Sequence, residues 1–258
     1  MKKIKDLLSK KNKAKVVCLT AYSKNIAQEI DNFVDVILVG DSLGSVLYDF
    51  DTTRLVTLEM MINHSKSVRK GITKSLMVVD MPFNTYRNKY EALKNCKKVM
   101  RETKCDAVKL EGGNSKLLEI IKHLIKNKIP VMGHIGLLPQ NEKGKFTFKG
   151  KSSKEQLKLR KEAKDLEKIG VFAIVLECVE QNLSKQITKE INILTIGIGA
   201  SQHCDGQILV TDDLIGLTNS NIKFVKKFGN VRKNIRDSVK KYRNEVRSVR
   251  YPSKKYLY

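Results

Sequence analysis

Tryptophan is absent from this 258-residue chain, and aromatic residues make up only 6% of it. No apolar run approaches the roughly 20 residues that a bilayer span needs, so no membrane partner is expected. The five cysteines (Cys18, Cys96, Cys105, Cys178 and Cys204) are odd in number, and no two stand at CxxC spacing. Neither a disulfide framework nor a zinc knuckle is therefore indicated, and reduced thiols in a cytosolic protein fit better. The basic start, Met1 to Lys15, leads only into the short apolar stretch Val16–Ala21 with no small-residue cleavage site. That argues against a secretory signal and gives a cytoplasmic expectation.

What the chain has in excess is positive charge, with 50 Lys and Arg against 27 Asp and Glu, a net +23. Such a balance can mark a nucleic-acid binder. Here the lysines spread through nearly every polar segment instead of forming one stripe. The aromatics do not interleave with basic residues as base-stacking platforms would require. Solvated helix faces in a basic protein, with no nucleic-acid partner, are the expectation. The charge still favours anionic substrates through long-range steering.

Eight short Val/Ile/Leu-rich runs read as strands buried on both faces. They are Val16–Thr20, Val36–Val39, Leu76–Val79, Ala107–Leu110, Ile129–Met132, Phe172–Leu176, Leu194–Ile198 and Gln207–Val210. Helical patterns lie between most of them. Ile26, Ala27, Ile30 and Phe33 share one face, as do Ala92, Leu93, Cys96, Val99 and Met100, and then Leu117, Ile121 and Leu124. A capping box at Ser153 and Gln156 opens another helix through Leu159, Ala163, Leu166 and Ile169 to Gly170. Strand–helix alternation predicts parallel pairing with right-handed crossovers. Eight units predict one (β/α)8 TIM barrel domain over residues 1–258, an open doubly wound sheet being the alternative. The link between Ile198 and Gln207 holds only eight residues, fewer than the dozen or so a parallel crossover needs. A helical turn around Gln202 is expected to bridge it. Phe228, Val231, Ile235, Val239, Tyr242 and Val246 predict a C-terminal helix with an apolar stripe, packing on the barrel or on a neighbouring subunit.

Five of the runs end on a polar residue: Asp41, Asp80, Glu111, His134 and Glu177. Catalytic groups of such barrels lie at the carboxyl ends of the strands, so these side chains are expected to converge. Asp41, Asp80 and Glu111, with no cysteine or paired histidine, suit a hard, oxygen-preferring cation such as Mg²⁺. The alternative for each acid alone is a cap on the helix that follows its strand.

The motifs GDSLG (Gly40–Gly44), DMPF (Asp80–Phe83), VKLEGG (Val108–Gly113), PVMGHIGL (Pro130–Leu137), VLE (Val175–Glu177), TIGIGA (Thr195–Ala200) and CDGQILV (Cys204–Val210) occur in this order. Together, over about Lys15 to Tyr242, they closely resemble the 3-methyl-2-oxobutanoate (ketopantoate) hydroxymethyltransferase family. The resemblance implies a barrel of the phosphoenolpyruvate mutase/isocitrate lyase-like group, assembled as a homodecamer. It implies hydroxymethyl transfer from 5,10-methylenetetrahydrofolate, the co-substrate, to 3-methyl-2-oxobutanoate. The product would be 2-dehydropantoate (ketopantoate), in pantothenate and coenzyme A biosynthesis, through a Mg-stabilised enolate with one Mg²⁺ per subunit. By the same resemblance Asp41, Asp80 and Glu111 hold the metal, and Asp41, Ser42, Asp80 and Lys109 contact substrate. The resemblance also makes Glu177 the catalytic proton acceptor. His134 either hydrogen-bonds substrate or a metal-bound water as an accessory group, or anchors its loop.

The chain departs from the family pattern at several loop positions. Ser45 stands where methionine is common, Asp49–Phe50 where Gly-Tyr is usual, and Leu138 where threonine is frequent. Ser201 replaces a glycine, Ile222 a proline, and Asn141–Gly150 is glycine-poor. A lyase or mutase of the related barrel group is the rival enzyme. Such enzymes carry a cysteine in a KKCGH-like loop, and the corresponding Leu110–Asn114 has none.

Overall fold

The computed structural model describes residues 2–141 and 147–258. Residues 142–146 of the glycine-poor stretch therefore lie outside the described residues. Two compact units are formed, Met1–Val210 and Thr211–Tyr258.

In the first unit eight parallel strands pair in sequence order and close as a barrel: β1 (Val16–Thr20), β2 (Val36–Val39), β3 (Leu76–Asp80), β4 (Ala107–Glu111), β5 (Val131–Gly136), β6 (Ala173–Glu177), β7 (Leu194–Ile198) and β8 (Gly206–Leu209). β8 returns to pair with β1, which excludes the open sheet. Its helices are α1 (Lys2–Leu8), α2 (Lys24–Ile30), α3 (Leu43–Leu47), α4 (Leu58–Arg69), α5 (Lys89–Thr103), α6 (Ser115–Lys126), α7 (Ser153–Ile169) and α8 (Gln181–Glu190).

Strand side chains alternate between the two faces of a sheet, and the barrel separates the two sets. One set fills the interior: Val16 and Cys18, Val36 and Leu38, Leu76 and Val78, Ala107, Met132, Ala173 and Val175, Leu194 and Ile196. The other set, including Ile37, Met77, Val108, Leu110, Ile174 and Leu176, meets the helices through Ala92, Cys96, Leu117, Ile121, Leu124, Leu159 and Leu166. Each fully buried aliphatic side chain contributes about 1.5–3 kcal/mol. The basic start forms α1, whose Leu7 joins the interior cluster beside Val16, Leu76 and Leu194 and floors the barrel at the amino ends of its strands.

Several sequence expectations shift. β5 runs Val131–Gly136 instead of Ile129–Met132, because Pro130 has no N–H for the ladder and Gly133 and Gly136 break the apolar pattern. α2 ends at Ile30, so Phe33 falls outside it and is exposed. The cap of α7 is Ser152, whose Oγ accepts from Glu155 N, one residue ahead of the expected pair. Between β7 and β8 the described chain has only a turn at Gln202–His203, and the ladder shrinks to Ile196↔Gly206 and Gly197↔Gln207. Side chains hold that junction instead: Asp205 accepts from Thr195 N at 2.8 Å and pairs with Lys11 Nζ at 2.7 Å. Asp49, where the family usually has glycine, takes φ +57°, a left-handed conformation that aspartate tolerates better than most residues.

The second unit holds α9 (Thr211–Leu214) and α10 (Val231–Arg247). Asn230 caps α10 through its Oδ1 and Lys233 N, and none of the 17 helix residues is buried. Its apolar stripe, Ile235, Val239, Tyr242 and Val246, is exposed.

Candidate active site

Interior parity decides where the polar strand-end residues go. Asp80 lies two residues beyond Val78, Lys109 and Glu111 two and four beyond Ala107, His134 two beyond Met132, and Glu177 two beyond Val175; all of these partners face the barrel interior. The same parity turns the polar groups into the carboxyl-end mouth. Helix capping falls to other residues: Asn88 for α5, Asn114 for α6 and Glu180 for α8. Asp80, Glu111 and Glu177 are therefore not the caps of the helices that follow them.

A chain of contacts links the mouth from β2 to β6. Asp41 N donates to Asp80 Oδ2 at 3.2 Å, and Lys109 Nζ donates to Asp80 Oδ1 at 2.6 Å. Gln140 Nε2 donates to Asp41 Oδ2 at 2.7 Å, while Gln140 N donates to Glu111 Oε2 at 3.2 Å. His134 stands between two acids, with Nδ1 3.5 Å from Glu111 Oε1 and Nε2 3.3 Å from Glu177 Oε2. Neither contact has hydrogen-bond alignment, so both ring nitrogens are buried without a hydrogen-bond partner among the described residues. Ser42 sits beside Asp41 and shares a 2.8 Å hydrogen bond with the Tyr22 hydroxyl. The side chain of Glu177 is 18% exposed against 4% for Asp80 and 6% for Lys109, so it is the one an incoming molecule reaches.

Two glycines make room for this arrangement. A Cβ at Gly40 would lie 2.8 Å from Ser42 Oγ and 3.5 Å from Asp80 Oδ2. Gly136, opposite Glu177 in the β5–β6 register, has φ +102°, and its Cβ would fall 2.3 Å from the Glu177 carbonyl oxygen. Just after β6, Cys178 holds φ +49°, a sparsely populated conformation for such a side chain.

The electrostatics follow from crowding of like charges in a buried space. Burial, then the charges of Asp80 and Glu111, push the Asp41 carboxyl well above the usual range against the pull of Lys109 and Gln140. Burial disfavours the Lys109 ammonium, yet Asp80, Glu111 and Asp41 hold its proton more tightly than usual. Glu111 is kept low despite burial, by His134 first and then by Lys109 and the Gln140 N–H. For His134 burial is outweighed by Glu111 and Glu177, and its pKa is raised to about 9. Burial raises all five thiols, Cys105 and Cys178 to about 11 each, away from the thiolate form that a nucleophile needs.

The three acids named as metal ligands thus share one mouth. Among the described residues no group of three His, Cys, Asp or Glu stands ready-made around an ion position. Lys109 takes one Asp80 oxygen and Gln140 takes one Asp41 oxygen. Gln140 and Tyr86, which donates to Gln140 Oε1 at 2.5 Å, are absent from the sequence reading. Gln140 lies in a turn after β5, where no periodicity marks a residue as inward-facing.

Comparison with known proteins agrees with the geometry. The profile of the family described as ketopantoate hydroxymethyltransferase matches residues 1–254. A protein named 3-methyl-2-oxobutanoate hydroxymethyltransferase from Pelagibacter ubique (strain HTCC1062) is 60% identical over 100% of this chain and 99% of its own. Proteins of the same name from Anaplasma marginale (strain St. Maries) and Rhizobium etli are 44% and 46% identical, covering 99% and 92% of this chain and 92% and 88% of theirs. Among solved structures, a 2,3-dimethylmalate lyase of the PEP mutase/isocitrate lyase superfamily is similar with TM-score 0.65 at 10% identity, covering 99% of this chain and 91% of that one. A phosphoenolpyruvate phosphomutase from Streptomyces platensis gives 0.62 at 9%, covering 96% and 88%. At that identity the likeness concerns the fold alone, a closed barrel of parallel strands. A full-length family match and relatives this similar lead to one conclusion: the chain belongs to the ketopantoate hydroxymethyltransferase family.

Proposed function

We propose that the chain transfers a hydroxymethyl group from 5,10-methylenetetrahydrofolate to 3-methyl-2-oxobutanoate, forming 2-dehydropantoate (ketopantoate) for pantothenate and coenzyme A biosynthesis. The observation that carries the reading is the convergence of Asp41, Asp80, Glu111 and Lys109 at one barrel mouth, with Glu177 joined to them through His134.

The donor set fits Mg²⁺. Asp41, Asp80 and Glu111 are all-oxygen and buried, burial and then the charges of Asp80 and Glu111 raise the Asp41 carboxyl, and a divalent cation would offset both. When bound, the ion would supply Lewis-acid stabilisation, worth several kcal/mol, to negative charge on the ketone oxygen of the substrate. Lys109 places an ammonium beside these acids, where it can attract the substrate carboxylate. Ser42, at the edge of the group, has a hydroxyl oriented by Tyr22 to hydrogen-bond substrate.

Glu177 is the proton acceptor. Its carboxylate is the accessible one, and it removes the C–H proton next to the ketone. Water releases the one-carbon unit from the folate as formaldehyde, leaving tetrahydrofolate; the carbanion adds to the formaldehyde carbon, and the alkoxide so formed takes up the proton held by Glu177 to give the hydroxymethyl group. His134 stands between Glu111 and Glu177, and these two acids raise its pKa to about 9 against burial, so it can carry a positive charge beside the proposed base. A cavity of about 180 Å³ lined by Phe83, Tyr86, Arg87, Glu111, Asn114 and Gln140 lies beside the acids, with aromatic and polar walls suited to a flat heterocycle.

The setting is cytoplasmic in this reading, and no described helix is long and apolar enough to cross a membrane. The exposed apolar stripe of α10 supports assembly, for which we propose a homodecamer. The test is incubation with 3-methyl-2-oxobutanoate, methylenetetrahydrofolate and Mg²⁺. Ketopantoate is the expected product, and its absence would refute the assignment. Asp80→Ala should abolish Mg²⁺-dependent substrate binding, and unchanged affinity in a titration would contradict the ligand role.

A further inference from the structure

The geometry points to Gln140, oriented by Tyr86, as a positioning residue that fixes Asp41 and Glu111 relative to each other and reserves one oxygen of Asp41 for a cation. The inference rests on the reading of these acids as cation ligands.

Gln140 is 1% exposed, although it lies in a turn and not in a strand or helix. Burying a primary amide is costly unless its donors and acceptor are engaged. Here they are: Nε2 donates to Asp41 Oδ2 at 2.7 Å and to the Met81 carbonyl at 3.0 Å, and Oε1 accepts from Tyr86 Oη at 2.5 Å. These partners determine which way round the amide sits. Reversed, its oxygen would face a carboxylate and a carbonyl, two repulsive contacts.

Tyr86 keeps the amide in that sense. Its hydroxyl donates to Oε1 at 2.5 Å, and an amide oxygen can only accept. With Oδ2 of Asp41 occupied, Oδ1 is the oxygen that accepts no hydrogen bond from the described residues. The backbone of the same residue reaches the other acid, because Gln140 N donates to Glu111 Oε2 at 3.2 Å. One turn residue thus spans carboxylates from the ends of β2 and β4. The turn is itself tied to the base-bearing strand, as Leu137 N donates to the Glu177 carbonyl at 2.8 Å. Partners that orient metal ligands typically change affinity about 10–100-fold when removed.

The experiment compares wild type, Gln140→Met, Tyr86→Phe, their double variant and Asp41→Ala by calorimetric titration with Mg²⁺ in the presence of 3-methyl-2-oxobutanoate and without folate. Gln140→Met is expected to weaken Mg²⁺ binding about ten-fold or more. Tyr86→Phe should weaken it several-fold, and the double variant should be no worse than Gln140→Met, since both act through one amide. In turnover, KM for the 2-oxo acid and the Mg²⁺ requirement should rise more than kcat falls. A merely structural role would instead lower the melting temperature and leave Mg²⁺ affinity unchanged, which overturns the inference. Should Gln140→Met fail to fold, Tyr86→Phe decides alone, with wild-type affinity as the overturning result. If wild type itself binds no divalent cation, the cation reading falls and takes this inference with it. If wild type binds, Asp41→Ala does not, and Gln140→Met binds as well as wild type, only the inference falls.

Discussion

Lys109 Nζ lies 2.6 Å from Asp80 Oδ1, and both side chains are almost closed to water. An ion pair at that depth is poor evidence of net stability, but breaking one side of it leaves an uncompensated charge. Lys109 also offsets Asp41 and Glu111. Lys109→Met should therefore destabilise the metal-free protein by about 3–5 kcal/mol in urea unfolding. Added Mg²⁺ should recover part of the loss. No recovery would mean that the acids do not act together on a cation.

Glu177→Gln keeps the shape of the proposed base and removes its proton affinity. Exchange of the substrate C–H for deuterium, followed by NMR without folate, should fall about 10²–10⁴-fold. Binding of 3-methyl-2-oxobutanoate should stay within a few-fold of wild type. Exchange at the wild-type rate would move the base elsewhere.

Gly136→Ala tests the space opposite Glu177. The new Cβ meets the Glu177 carbonyl oxygen at 2.3 Å and Val179 Cγ2 at 2.6 Å, at a φ of +102° that alanine resists. Displacing the proposed base by about 1 Å should lower kcat about 10²-fold, with circular dichroism still that of the barrel. An alanine variant with unchanged kcat would show that Glu177 need not be held so closely.

Asp31 gives a pH prediction remote from the mouth. Its buried carboxylate accepts from Thr73 N and Oγ1, Lys74 N and Ser75 N ahead of β3. Burial opposes the charge, yet the Thr73 hydroxyl and then the backbone N–H groups of Ser75, Thr73 and Lys74 hold the carboxyl well below its ordinary value. A depressed folded-state pKa stabilises above the unfolded value, about 3.9, and that contribution fades as pH falls below it. Asp31→Asn should cost about 1–3 kcal/mol at neutral pH. The gap to wild type should narrow steadily below about pH 4 in thermal melts. A gap independent of pH would place the effect in packing instead of charge.

The barrel was legible because eight apolar runs alternate with 3.6-period patterns. The acids stood out because each follows directly on the end of an apolar run or one residue beyond it. What escaped the sequence was set by tertiary contact. β5 hides behind Pro130 and two glycines, and Phe33 keeps helical spacing after α2 has already ended. Ser152 and Ser153 offer equally good capping spacings, and the side-chain geometry selects Ser152. Gln140 gave no signal, since a buried amide in a turn differs from a solvated one only by what surrounds it. The flanking of His134 by Glu111 and Glu177 depends on register between β4, β5 and β6, which no single segment encodes.

The seam where β1 meets β8 joins Val16 to Gly206, residues 190 positions apart. During synthesis the first strand leaves the ribosome with one hydrogen-bonding edge open until nearly the whole first unit has been made. Contacts of such long sequence separation slow folding and leave an adhesive edge exposed meanwhile. A nascent chain stalled before residue 206 would carry two such edges, on β1 and on β7, and should be a preferred client for chaperones.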